Sequence, residues 1–118
     1  MVKVEAKVTE KEVRIKLNNG YMVRYGKYWT LYNIVKQVLK KYGVKESTEA
    51  KIDLEPRDLI FVLWLETKWN RLYIDGRLKK ITYEEAMKEF TEEVLNGSEY
   101  IYAAFLLLKY GWKYYEGI

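Results

Sequence analysis

The sequence predicts an α+β domain with a small N-terminal antiparallel sheet, about four helices and an internal β-hairpin. Three observations lead there. Apolar and polar residues alternate in the opening stretch, the apolar spacing changes to three and four from Thr30 onward, and Asp75-Gly76 sits between two short runs of strand-forming composition. A length of 118 residues suits one hydrophobic core rather than two, so residues 1–118 are read as a single domain.

Val2, Val4, Ala6 and Val8 alternate with polar neighbours, and Val13, Ile15 and Leu17 do the same after the polar break from Thr9 to Glu12. Each is the period-two signature of a half-buried strand. Asn18-Asn19-Gly20 marks a turn, and Tyr21 to Tyr25 reads as a third short strand ending at Gly26. From Thr30, a candidate N-cap, the residues Leu31, Ile34, Val35, Val38, Leu39 and Tyr42 describe one face of a helix that Gly43 stops. The polar stretch from Val44 to Lys51 reads as a connector.

Pro56 suits the first turn of a second helix, with Asp53 or Glu55 near its start and an end at about Lys68. The run from Leu59 to Leu65 is apolar all round, so that helix must be covered on most sides. Arg71 to Ile74, Asp75-Gly76 and Arg77 to Ile81 spell a hairpin, because Asp-Gly accepts the positive φ angles of a tight primed turn. Thr82 and Glu85 form a capping box for a third helix, Tyr83 to about Leu95, with Ala86, Met87, Phe90 and Val94 on its buried side. Asn96-Gly97 ends it. Ser98 caps a fourth, almost wholly apolar helix that stops at Gly111, and Trp112 to Tyr115 reads as an extended segment leaving it.

Composition restricts the chemistry. The chain has no His and no Cys, which removes imidazole acid–base catalysis, thiol nucleophiles, disulfides and the common zinc sites. No phosphate-binding glycine loop is present, and no cofactor is implied. Glu84, Glu85, Glu89, Glu92 and Glu93 could share a helix face toward a hard cation, but a solvated acidic face is the ordinary meaning of such a pattern, and no metal site is assigned. The longest apolar run is far short of the roughly 20 residues that cross a bilayer, and a cytoplasmic protein without a membrane partner is expected. Abundant Lys, Glu and Tyr follow the trend of heat-adapted proteins.

A net charge of +4 permits an acidic partner such as RNA without requiring one. Lys68, Arg71, Arg77, Lys79 and Lys80, interleaved with Trp69 and Tyr73, are the RNA-contact candidates, since cations hold phosphates while rings stack unpaired bases. Charge that merely protects a hairpin edge would look the same. The 12 Tyr and 4 Trp raise the prospect of a protein interface, for which Tyr100, Phe105, Leu108, Trp112, Tyr114 and Tyr115 are the candidates.

The order of these phrases resembles the archaeal tRNA-splicing endonucleases. Ile52 to Leu63 stands where that family has a helix opening on a Leu-Ser-Leu-Glu-Glu type of phrase, and Arg71 to Lys80 stands in place of its short hairpin. Ile81-Thr82-Tyr83-Glu84-Glu85-Ala86 is similar to its second helix phrase, and Tyr100 to Trp112 to the helix that opens its catalytic domain. The likeness covers residues 52–118 well and 1–30 loosely. It implies the family's N-terminal domain plus the first helix and strand of its C-terminal domain. The family's catalytic Tyr, His and Lys lie beyond the part that this sequence matches, so no catalytic residue is carried over. The resemblance therefore implies a non-catalytic structural subunit that pairs with a catalytic endonuclease subunit, as in a heterotetramer, and positions precursor tRNA. A stand-alone small nucleic-acid-binding protein, or a protein-interaction module, is the alternative.

Overall fold

The computed structural model describes residues 1–74 and 80–117, without the side chains of residues 70–74. Its sheet is antiparallel throughout, with strands β1 (Val2–Val8), β2 (Glu12–Lys16), β3 (Met22–Gly26) and β4 (Thr48–Leu54) in the order β3-β2-β1-β4. Helices α1 (Thr30–Lys40), α2 (Pro56–Ile74), α3 (Tyr83–Asn96) and α4 (Glu99–Tyr110) complete the α+β fold, and a 3₁₀ turn, Gly111–Glu116, follows α4.

The alternation read from the sequence sorts the sheet into two faces. Val4, Ala6, Val8, Val13, Ile15, Val23 and Tyr25 point into the core, while Lys3, Glu5, Lys16, Arg24, Lys51 and Asp53 are exposed. Helix α1 lays Leu31, Ile34, Val35, Val38 and Leu39 on the inner face. The run Leu59 to Leu65 in α2 is buried at every position, which is how the expectation of an all-round cover is met: α1, α3, α4 and β3 all pack against this helix. Phe61, Trp64 and Phe90 stack there with centroids 5.2–6.0 Å apart.

Several local expectations differ from the structure. Residues 48–54, taken as a connector up to Lys51 and a helix start from Asp53, form β4 beside β1. Ala50, Ile52 and Leu54 alternate inward, but Thr48, Glu49, Lys51 and Asp53 make this edge strand look like a loop. Arg71 to Ile74 continue α2 as helix rather than forming the first arm of a hairpin. The proposed turn and most of the second arm lie outside the described residues. Residues 112–115 are 3₁₀, not extended, and fold back on the body. Val94 is 52% exposed instead of buried, because α3 turns only Ala86 and Phe90 fully inward.

The helix starts at Thr82 and Ser98 behave as read: Thr82 Oγ1 accepts from the Glu85 N–H at 3.1 Å, and Ser98 Oγ from the Ile101 N–H at 3.1 Å. The capping box is only half closed, since the Glu85 carboxylate accepts from the Thr82 hydroxyl instead of from its backbone amide. At α1 the N-cap is Trp29, not Thr30, and its side chain makes no cap bond.

The β2–β3 turn fastens the far end of the chain. Asn19 Nδ2 donates to the carbonyls of Leu107 and Leu108 at 3.2 and 3.0 Å, in the last turn of α4 where carbonyls run out of helical donors, although Leu107 also accepts from the Gly111 N–H. Gly111 meets this amide closely at φ +61°, where an added Cβ would stand 3.0 Å from Asn19 Cγ. Asn19→Ala should therefore cost about 1–2 kcal/mol in urea unfolding. Gly111→Ala should cost more than Gly97→Ala, which has positive φ but open space around it. Equal losses at the two glycines would mean that the Asn19 contact does not restrain the chain.

Candidate functional site

Among the described residues, three clusters of polar side chains tie the helices to one another and to the β2–β3 turn. At the first, Asp58 in the opening turn of α2 accepts from Lys41 Nζ at 3.1 Å and from the Tyr42 hydroxyl, whose oxygen in turn accepts from the Glu55 N–H. Lys41 also reaches the Tyr83 hydroxyl at 3.3 Å, so the end of α1 is tied to the starts of α2 and α3. The negative charge of Asp58 suits the positive end of α2.

The second cluster joins α2 to α3 and α4. Lys68, one of the RNA-contact candidates, pairs with Glu93 and lies 3.5 Å from Glu89, with only 15% of its side chain exposed. Its ammonium stands 5.1 Å from the Trp64 ring centre and 5.5 Å from that of Tyr100, and Trp64 Nε1 donates to Glu93 at 3.0 Å. Burial alone would raise the pKa of Glu93, but bonds from Lys68, Ser98 and Trp64 outweigh it and hold the carboxyl below its usual range. Lys68 is thus engaged by carboxylates of its own chain.

The third cluster surrounds Glu66. Tyr21 donates to Glu66 Oε2 at 2.5 Å and lies 3.2 Å from the Tyr115 hydroxyl, while its ring packs 4.6 Å from that of Trp112. Trp112 Nε1 donates to the Gly20 carbonyl at 3.2 Å. No described cation pairs with Glu66, and burial pushes its carboxyl up to about 7, opposed by the Tyr21 bond. The nearby Tyr25 hydroxyl is buried without a partner among the described residues and is pushed well above its ordinary range, by burial first and then by Glu66.

The interface candidates divide in the structure. Tyr100, Leu108 and Tyr114 are half-buried against the core, whereas Phe105, Trp112 and Tyr115 are each more than half exposed. Helix α4 buries Ile101, Ala103, Ala104 and Leu107, and its small residues suit close packing on α2. The opposite half carries Tyr102, Phe105 and Tyr110 at 66, 54 and 38% exposure, with Leu106 at the margin. Lys109 lies among them, 5.1 Å from the Tyr110 ring centre. Tyr102 and Tyr110 belong to this face although sequence reasoning did not single them out; the phase of Ala103, Ala104 and Leu107 on the helix was the available signal.

Of the remaining RNA-contact candidates, Arg71 lies in α2 with its side chain outside the described residues, as are Arg77 and Lys79 altogether, and Lys80 is exposed. Among the described residues no group of three or more acidic side chains could hold a metal ion, and no helix is long and apolar enough to cross a membrane. No family model, curated protein or solved structure matches the chain.

The Glu66 site has a pH signature. The folded chain keeps this proton up to about pH 7, whereas the unfolded chain releases it near 4.5, so stability falls as pH rises through that window. Glu66→Gln, which still accepts from Tyr21, should match the parent below pH 4.5 and be more stable by about 1–3 kcal/mol at pH 8. Urea titrations at pH 4, 6 and 8 read this directly; parallel curves for parent and variant would show that Glu66 ionises in the folded chain as it does in water.

Proposed function

We propose that this chain is a non-catalytic structural subunit of a hetero-oligomeric tRNA-splicing endonuclease, seated on its catalytic subunit through the outward half of α4. The observation that carries the docking role is that half-helix: Tyr102, Phe105 and Tyr110 are three large exposed rings with Lys109 among them, where a solvated helix would carry mostly charge. Such rings supply wide rigid contact area with little loss of side-chain freedom. The partner's identity comes from the resemblance of residues 52–118 to the endonuclease family. The absence of His and Cys favours a scaffold that holds the catalytic subunit and the precursor tRNA in register over one that cuts.

Tyr102 and Phe105 are better probes of docking than Trp112 or Tyr115. The latter two pack on Tyr21 and belong to the fold as well as to the surface. Tyr102→Ser with Phe105→Ser should leave the circular dichroism spectrum and thermal midpoint nearly unchanged while weakening subunit association roughly tenfold or more, as loss of interface anchors does. In cleavage assays on a precursor tRNA the chain alone should be inert, and adding a catalytic subunit should give cutting that the double variant reduces. Cleavage by the pure chain would overturn the structural-subunit reading; an associated double variant would move the interface off α4. A chain that stays monomeric in the presence of a catalytic subunit, whether or not it binds RNA, would favour the stand-alone alternative.

A further inference from the structure

A second exposed aromatic pair lies away from α4. The turn from β3 into α1 presents Lys27, Tyr28 and Trp29, with Tyr28 98% and Trp29 38% exposed. Tyr28 makes no ring contact among the described residues, in a chain where Tyr21, Tyr25 and Tyr32 are buried. These residues border a cleft of about 600 Å³ whose floor is the start of α1 and whose other wall runs from Lys80 to Glu84 at the start of α3. Asn33 and Gln37, one helical turn apart, bring side-chain amides to the cleft.

The lining combines three chemistries. A ring fully open to solvent offers a stacking face, the two amides can donate and accept on one edge, and Lys27 and Lys80 have no ion pair within 4 Å among the described residues. Glu84 is the one carboxylate among the described lining residues, and α1 has no acidic residue in its first turn. We propose that this cleft binds an unpaired nucleotide, with the base stacked on Tyr28 and the phosphate held by Lys27 and Lys80. Trp29 and the Asn33 and Gln37 amides bound the base laterally. Glu84 limits the affinity by opposing the phosphate. The inference does not rest on the endonuclease reading, since the described lining residues all belong to this one chain and none of them to α4.

The test uses the whole chain as an isolated protein. Fluorescence anisotropy with labelled ten-nucleotide RNA and DNA homopolymers should show binding to single strands, and Tyr28→Ala should weaken it roughly tenfold with no change in thermal midpoint. Lys27→Gln with Lys80→Gln should reduce the salt slope by about 1.4, the value for two contacts on a single strand. Glu84→Gln should tighten binding, which a purely structural role for this wall would not produce. Adenosine monophosphate is the small-molecule arm: affinity that rises with strand length assigns the cleft to a polymer, and equal affinity for the monophosphate assigns it to a mononucleotide. No binding of any of these ligands, or an unchanged affinity in Tyr28→Ala, overturns the proposal. Tyr102→Ser with Phe105→Ser should leave this binding intact, so the cleft and the α4 interface can fail separately.

Discussion

Seven consecutive apolar side chains, Leu59 to Leu65, set the condition that the rest of the molecule meets. A helix carries side chains around its whole circumference, so this run has no direction in which it can face water without exposing large hydrophobic area. The sheet edge, α1, α3 and α4 supply the cover, α3 with the Phe90 ring on Phe61 and Trp64 and α4 with a side that includes the buried small residues Ala103 and Ala104. Burial of α2 explains why the helical layer is arranged around one central element rather than spread in a row over the sheet. It also explains why α4 is apolar on the side that meets α2; its outward side has no such explanation, and that contrast is what gives Tyr102 and Phe105 their functional interest.

The buried polar groups add register to this cover. Apolar packing alone leaves helices able to slide by a turn at modest cost, whereas a charged pair in low dielectric has one good arrangement. Lys68 with Glu93 fixes α2 against α3, and Asp58 with Lys41 and Tyr42 fixes α2 against α1. Glu66 differs, because Tyr21 gives it a hydrogen bond but no described cation neutralises it. It occupies the position just past the apolar run, where the chain first meets the β2–β3 turn and the C-terminal aromatic rings.

Local signals in the sequence were legible where one residue type does one job. The alternation in β1 to β3, the spacing of three and four in α1, and the caps Thr82 and Ser98 all reappear in the structure. What failed depended on distant partners. Strand β4 is recognisable only once β1 is known to lie beside it, since four of its seven residues are polar. Trp112 to Tyr115 looked extended because nothing nearby announces that Tyr21 and Gly20 will receive those rings. Lys68 illustrates the same limit for the site: a lysine in a basic run reads as a surface charge until the next helix, α3, folds back against α2 and supplies Glu93 from 25 residues further along the chain. Exposure of Tyr28 was equally invisible, because an aromatic residue in a turn reads the same whether it packs inward or outward.

The clasp between the β2–β3 turn and the end of α4 has a temporal consequence. Asn19 bonds to Leu108, Gly20 to Trp112 and Tyr21 to Tyr115, pairs separated by 89, 92 and 94 residues. On a ribosome the turn emerges early, yet its side chains have nothing to hold until α4 and the 3₁₀ turn have been made. During that interval Tyr21 and the side of α2 that α4 covers stand open, and closing so long a loop comes late because its entropy must be lost before the contact returns anything. The nascent chain is therefore at its stickiest just before synthesis reaches the clasp, when most of the hydrophobic surface exists and the last piece that seals it does not.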